Sequence, residues 1–81
     1  MEEKKCYVLT CSCYSDEDSV SVYFDEVDAY KAMIAELEVE ITNLQNSGYK
    51  YYSAENDTSA ELYVPNSGIY FDWDIVEATI G

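Results

Sequence analysis

The chain has 81 residues, with 17 Asp and Glu against four Lys, no Arg and no His, and a formal net charge of −13. This length predicts a single domain over residues 1–81 and excludes a two-domain enzyme. Since 48% of the residues are hydrophobic and 15% aromatic, the composition differs from that of a disordered acidic tail, and we expect the chain to fold. The excess of carboxylates excludes direct binding to nucleic acid or an anionic membrane surface, and it favours a basic protein as partner.

The sequence shows neither a positively charged leader followed by an apolar stretch nor an apolar run of about 18 residues. We therefore expect a cytoplasmic protein. Cys6, Cys11 and Cys13 cluster in one predicted strand, and we interpret them as reduced thiols that fill the core. Without His or a second Cys cluster the chain cannot complete a tetrahedral zinc site, so we expect no metal and no cofactor.

The N-terminal residues alternate as in β-strands. Residues 5–14 predict a first strand, and residues 15–19 form an acidic connection of hairpin length. After it, Val20, Val22 and Phe24 alternate with Ser19, Ser21 and Tyr23, which predicts a second strand antiparallel to the first. In the first strand the two faces are Tyr7, Leu9, Cys11 and Cys13 on one side and Cys6, Val8, Thr10 and Ser12 on the other.

A helix is predicted from Asp25, a good N-cap, to the stop at Ser47 and Gly48. Apolar residues recur there at spacings of three and four, typical of a helix packed on a core: Val27, Tyr30, Ile34, Leu37, Ile41 and Leu44. On the far side, Ala32, Ala35 and Val39 form a narrow apolar strip. We interpret the strip as good helix propensity, with a docking or dimer face as the alternative.

The C-terminal third predicts three further strands, over residues 49–54, 60–64 and 69–80. Turns separate them at residues 55–58, where Asn56-Asp57-Thr58 also matches a glycosylation acceptor, and at residues 65–68. Because Val76 and Ala78 would otherwise point away from the core, we expect a bulge near Ile75 or Val76. The predicted fold is α+β: a curved antiparallel sheet of about five strands with one helix packed on one face, in the order ββαβββ.

An enzyme is not expected, since the chain has no His, no Arg and few Lys for acid-base or nucleophilic work. Asp72 and Asp74 have a strand spacing of about 6.6 Å, but a domain this small leaves little room for a substrate cleft. A divalent cation at Asp16, Glu17 and Asp18 is a further alternative, although the calcium loop with its Gly and terminal Glu is absent.

The collective charge supports a different hypothesis. A net charge of about two to eight is sufficient for the solubility of a small domain, so −13 indicates a field presented to a partner. Carboxylates two apart on a strand or four apart on a helix lie roughly 6 to 7 Å apart and can stand in for alternate phosphates of a DNA strand, which rises about 3.4 Å per phosphate. The predicted partner-binding residues are Asp16, Glu17, Asp18, Glu36, Glu40, Asp72, Asp74, Tyr70 and Tyr63.

Nine tyrosines accompany the carboxylates. Tyr23, Tyr52, Tyr63 and Tyr70 are predicted on the polar side of their strands, where a large rigid ring with a hydroxyl is suited to docking. The alternative is that these rings simply cover the second face of the sheet.

In its size, charge and Tyr plus Asp/Glu surface, the whole chain resembles the small acidic DNA-mimic proteins of phages and mobile elements, of the anti-CRISPR and anti-restriction type. The resemblance implies a non-enzymatic inhibitor that occupies the basic channel of a CRISPR effector or restriction enzyme, where DNA or RNA normally lies. If a phage encodes the chain, the resemblance also implies that it acts in the cytoplasm of the host cell. The alternatives are a small cytosolic interaction domain that pairs through a sheet edge or the Ala32, Ala35 and Val39 strip, with a homodimer possible, and an antitoxin-like neutraliser of a basic protein.

Overall fold

A computed structural model describes residues 4–14 and 18–80 of the chain. Its elements are β1 (Lys4–Cys13), β2 (Ser19–Tyr23), α1 (Glu26–Asn46), β3 (Tyr52–Glu55), β4 (Ser59–Tyr63) and β5 (Tyr70–Ile80). All paired strands are antiparallel, and they form one five-stranded sheet in the order β2-β1-β5-β4-β3. The predicted α+β fold, with one helix and the order ββαβββ, is confirmed.

The helix α1 covers one face of the sheet. It follows β2 and precedes β3, the two edge strands, so the chain must pass from one edge of the sheet to the other. Between this helix and the sheet lies the core, whose largest fully buried side chains are Trp73, Met33 and Leu62. Among the described residues, no helix is long and apolar enough to span a membrane.

Both predicted ends of the helix are confirmed. The Asp25 carboxylate accepts a hydrogen bond of 2.8 Å from the backbone N–H of Val27, which satisfies one of the free donors of the first turn. At the other end, Gly48 donates to the carbonyl of Gln45 and Tyr49 donates to that of Leu44. This pair of bonds is a Schellman motif, and it places Gly48 at φ +80°, where a residue without Cβ is favoured.

The buried line of the helix differs from the predicted stripe in its first half. Ala29 and Met33 are fully buried, whereas Val27 is 55% exposed. The single methyl group of Ala29 permits the helix to approach the sheet closely, and Met33 is flexible enough to fill the space beside it. The remaining predicted residues pack on the core as expected: Leu37 and Leu44 are buried, and Tyr30, Ile34 and Ile41 are half-buried.

The bulge predicted near Ile75 or Val76 is wrong. The β1–β5 register is continuous from Lys4 opposite Ile80 to Cys13 opposite Phe71. Ile75 is buried under the helix and Val76 is 57% exposed on the other face. Because the ten pairs are consecutive, side chains along β5 alternate strictly between the two faces of the sheet. The apolar residues Val76 and Ala78 therefore lie on the face away from α1.

The second strand is also turned over relative to its prediction. Tyr23 is half-buried against the core, so its placement on the polar side was wrong. Val20, Val22 and Phe24 are instead 64%, 53% and 74% exposed. The reason is the register, since Tyr23 pairs with Tyr7 and Val22 with Val8, and both members of a directly opposed pair point to the same face.

Candidate protein-docking face

The face of the sheet away from α1 carries no helix or strand within the described ranges, and we call it the open face. The strand registers place the even-numbered residues of β1, β2, β3 and β5 and the odd-numbered residues of β4 on it. Three bands of side chains of different chemistry cross this face from strand to strand, each aligned by the pairing of directly opposed residues.

The first band is a row of tyrosines. Tyr52 on β3 opposes Tyr63 on β4, which opposes Tyr70 on β5. The rings of Tyr52 and Tyr63 stack with centroids 5.4 Å apart and an interplanar angle of 23°. All three side chains are about half exposed, at 58%, 44% and 50% respectively. This tyrosine row is therefore a rigid aromatic surface that still faces solvent.

The second band is acidic. Glu61 on β4 lies directly opposite Asp72 on β5, and Asp74 lies two residues further along β5, on the same face. Directly opposed side chains have Cβ atoms about 5 Å apart, and residues two apart on a strand are separated by about 6.6 Å. We call these three exposed carboxylates the acidic trio. Like charges directly opposite each other destabilise a sheet, so this arrangement has a cost in folding free energy.

On the described strands, no cation lies beside the acidic trio. Its neighbours by register are Ala54, Ser12, Thr10 and Ser59. Lys4 is the one lysine of the described strands placed on the open face, and it lies six residues along β1 from Thr10, which is about 20 Å. Lys5 points to the helix side, where its Nζ lies 2.9 Å from Glu77 Oε1, and this hydrogen bond raises the lysine pKa.

The third band is apolar. Val22, Val8 and Val76 oppose one another across β2, β1 and β5, and Val20 lies two residues from Val22 on the edge strand. Val20, Val22 and Val76 are all more than half exposed. This valine band adjoins the β2 edge and is separated from the tyrosine row by the acidic trio.

A second group of carboxylates lies on the helix side, around a cleft of about 400 Å³ between α1 and the strands. Glu36 and Glu40 line this cleft, and both of them and Asp18 act electrostatically on the thiol of Cys11. Burial, followed by the charge of Glu36, raises the Cys11 pKa to about 11. Burial and then Glu40 raise the pKa of Glu36. The cleft therefore has an apolar floor, which includes Trp73, and an acidic rim.

A third acidic region lies near the start of the helix. The charge of Glu55 is the largest cause that raises the pKa of Tyr30, followed by burial and by Asp57. Asp57 belongs to the β3–β4 turn, in which the side-chain oxygen of Asn56 accepts from the backbone N–H groups of Thr58 and Ser59 at 2.9 Å. The predicted turn is therefore confirmed, and two carboxylates, one at the end of β3 and one in the turn, act on Tyr30 of α1.

The structure separates the predicted site residues into two groups on opposite sides of the sheet. Asp72, Asp74, Tyr63 and Tyr70 share the open face, whereas Glu36 and Glu40 line the cleft on the helix side. Asp18 lies just before β2, and its charge acts on the thiol of Cys11. Asp16 and Glu17 lie outside the described residues.

Two members of the open face were not predicted as site residues, Glu61 and Tyr52. Sequence alternation already places both on the polar side of their strands. Their positions opposite Asp72 and Tyr63 follow only from the pairing of β3, β4 and β5, which the sequence does not specify.

The chain matches no protein-family model, no curated protein and no solved structure. Its function is therefore inferred from geometry and charge. Within residues 4–14 and 18–80, no three His, Cys, Asp or Glu side chains are grouped so that they could hold a metal ion. Protein docking through charge and aromatic area is the chemistry that the open face offers.

Proposed function

We propose that this protein is a non-enzymatic, nucleic-acid-mimicking inhibitor that docks the open face of its sheet into the basic DNA- or RNA-binding channel of a host defence nuclease, such as a CRISPR effector or a restriction enzyme. The observation that carries the proposal is the acidic trio: Glu61, Asp72 and Asp74 stand together, exposed and without a neighbouring cation on the strands, at the cost of a like-charge pair.

A channel rich in Lys and Arg would remove that cost. Cations placed over Glu61 and Asp72 would offset the repulsion between these two carboxylates and attract both of them. The pair that lowers the stability of the free protein would therefore contribute favourably to the free energy of binding. The roughly 5 to 7 Å spacing of the three carboxylates matches the spacing that the mimicry hypothesis requires. Long-range attraction between the −13 charge of the inhibitor and a basic channel would also accelerate association.

The tyrosine row adds rigid aromatic contact area, which carboxylates alone do not provide. The three rings are anchored on paired strands, and those of Tyr52 and Tyr63 also stack on each other, so they lose little freedom on docking. Their rings can stack on Arg guanidinium groups, and their hydroxyls can accept hydrogen bonds from Lys or Arg. Carboxylates beside aromatic rings therefore recognise the side chains that such a channel uses to hold phosphates and bases.

The shape of the molecule is consistent with a channel. The Cα atoms extend over 53 × 21 × 15 Å, so the body is long and thin. The open face presents the acidic trio on one side of the sheet, and Glu36 and Glu40 lie on the other. An elongated body with carboxylates on both sides can contact two opposing walls of a groove.

The test is inhibition of purified CRISPR effectors and restriction enzymes, measured as cleavage of a labelled duplex DNA. We expect the protein to inhibit at least one of them by competing with nucleic acid, and the inhibition to weaken steeply as salt is raised, because screening shortens the reach of its charges. Binding to such an enzyme that persists unchanged in saturating DNA and in high salt would contradict mimicry and favour a neutraliser of another kind.

A matched pair of charge reversals tests the face. Asp72→Lys and Glu38→Lys change the net charge equally, but Asp72 belongs to the acidic trio whereas Glu38 is exposed on α1. We expect Asp72→Lys to reduce affinity for the inhibited enzyme by at least tenfold and Glu38→Lys to reduce it less than threefold. Equal losses from the two variants would show that only net charge matters and would refute docking through the open face.

A further inference from the structure

The edge strand β2 lacks the features that usually prevent association of sheet edges. Its five residues, Ser19–Tyr23, include no charge, no Pro and no Gly, in a chain whose net charge is −13. Native proteins generally protect an edge with charged residues, Pro or a bulge, since its unpaired N–H and C=O groups can pair with another strand. The opposite edge, β3, is only four residues long and ends on a carboxylate, Glu55.

The unpaired backbone groups of β2 can be identified from the ladder. The backbone N–H of Tyr14 donates to the carbonyl of Tyr70 at 3.2 Å, and these two residues continue the β1–β5 register. The even-numbered residues of β1 therefore form the backbone hydrogen bonds to β5. Because successive residues of a strand direct their N–H and C=O groups to opposite sides, the odd-numbered residues of β1 bond to β2. Ser21 and its odd-numbered neighbours therefore pair with β1, and the backbone groups of Val20 and Val22 face outward.

We propose that β2 pairs with β2 of a second copy of this chain, in antiparallel orientation about a two-fold axis at Ser21, to form a continuous ten-stranded sheet. In this register Val20 of each copy lies opposite Val22 of the other, and the outward N–H and C=O groups of both residues are satisfied reciprocally. This register uses all five residues of the strand. Registers centred on Val20 or Val22 leave part of it unpaired.

The side chains agree with this register. On the open face, the exposed Val20 and Val22 of each copy meet their counterparts, so the two valine bands join across the axis and bury apolar surface that each monomer exposes. Phe24, which is 74% exposed, lies just beyond the end of the strand and would be partly covered by the second copy.

The charges also agree. One residue beyond each end of the strand, the register places Asp18 of one copy opposite Phe24 of the other. Phe24 shares a shallow surface groove with Lys4 and Lys5. Each copy would therefore bring an Asp carboxylate toward Lys4 of the other, whereas Lys5 already pairs with Glu77, and the two-fold axis repeats this contact. The complementarity at the edge offsets part of the repulsion between two acidic bodies.

The tyrosine row and the acidic trio are unaffected by this pairing. They lie on β3, β4 and β5, away from the β2 edge. The dimer therefore does not depend on the proposed function, and its test requires no nuclease.

The first measurement is molar mass by sedimentation equilibrium from low micromolar to near-millimolar concentration, under reducing conditions. We expect the weight-average mass to rise toward twice the 9.2 kDa of the monomer. A monomer mass across the whole range would overturn the proposal.

A cysteine at the axis tests the register. Directly opposed residues in a non-hydrogen-bonded antiparallel pair have Cα atoms about 4.5 Å apart, within the range for a disulfide. We expect Ser21→Cys to form a covalent dimer under mild oxidation. The matched control, Ser53→Cys on the exposed β3 edge, should not, and neither should the unmodified chain with its three cysteines. Equal crosslinking of Ser21→Cys and Ser53→Cys, or crosslinking of Ser53→Cys alone, would refute the assignment to β2.

Val22→Pro removes one outward N–H group that β1 does not use, whereas Val22→Thr keeps it with a similar side-chain shape. Far-UV circular dichroism shows whether each variant folds. We expect folded Val22→Pro to be monomeric at the concentration where half of the unmodified chain is dimeric, and Val22→Thr to remain dimeric. A folded Val22→Pro that dimerises like the unmodified chain would contradict backbone pairing through β2, and if this variant does not fold, the Ser21→Cys result decides.

Discussion

The two faces of the sheet are built from the same strands but differ in burial and in charge. Toward α1, Ala60, Leu62 and Trp73 are at most 3% exposed and form the core with the helix. On the open face, the neighbouring residues Glu61, Tyr63, Asp72 and Asp74 remain exposed. Strand alternation thus places the core on one side and leaves the proposed docking surface exposed on the other, so we expect substitutions on the open face to leave the fold intact.

The largest expected difference between the faces concerns two adjacent residues of β4. Leu62→Ala leaves a cavity in the core and should cost about 2 to 5 kcal/mol of unfolding free energy. Tyr63→Ala removes mainly the stacking with Tyr52 and should cost only about 0.5 to 1.5 kcal/mol. Urea unfolding of both variants measures these values. Costs of similar size would show that the open face contributes to the core as much as the covered face does.

A smaller effect of opposite sign is expected at the acidic trio. Glu61→Gln removes the like-charge pair with Asp72 and should stabilise the fold by about 0.2 to 1 kcal/mol, while it weakens binding to a basic partner. Glu38→Gln, on the exposed side of α1, is the matched control for the change in net charge. If thermal or urea unfolding shows the same change in both variants, the repulsion is general and does not reside in the Glu61 and Asp72 pair.

A further effect is expected on the covered side, and only at high pH. Burial, with Glu36 as the next cause, raises the pKa of Cys11 from 9.0 to about 11, so folding favours the protonated thiol. This contribution to stability is fully present below the unfolded-state pKa of about 9 and is lost as the pH rises through about 11. Urea unfolding between these values should therefore lose more stability in the unmodified chain than in Cys11→Ser. Parallel curves would show that the thiol is not desolvated in the folded state.

The order of elements could be predicted because each has a strong local signal. The Asp25 cap and the Gly48 stop determine the ends of the helix, and the turn residues at 56–58 and 65–68 separate the last three strands. The errors arose where both faces of a strand carry apolar residues. In β2 and in the second half of β5, Val20, Val22 and Val76 look like core residues, and only the pairing with β1 shows that they lie on the open face.

The candidate site could be predicted only in part. Alternation along one strand placed Asp72, Asp74, Tyr63 and Tyr70 on a polar face. Whether carboxylates on different strands meet depends on strand order and register, which are set by contacts between residues distant in the sequence. For this reason Glu61 was missed as the partner of Asp72, and Glu36 and Glu40 were not expected to line a cleft together with Cys11 of β1.

The position of Trp73 also has a practical consequence. Trp73 is the one tryptophan of the sequence, and it is 1% exposed. Its ring stacks on that of Phe71 with the centroids 5.7 Å apart. Its Nε1 has no hydrogen-bond partner among residues 4–14 and 18–80. Its fluorescence should therefore be short in wavelength in the native protein and shift to the red on denaturation. Since the side chain of Trp73 points away from the acidic trio, its emission wavelength reports whether the protein stays folded while a binding partner is added to the open face.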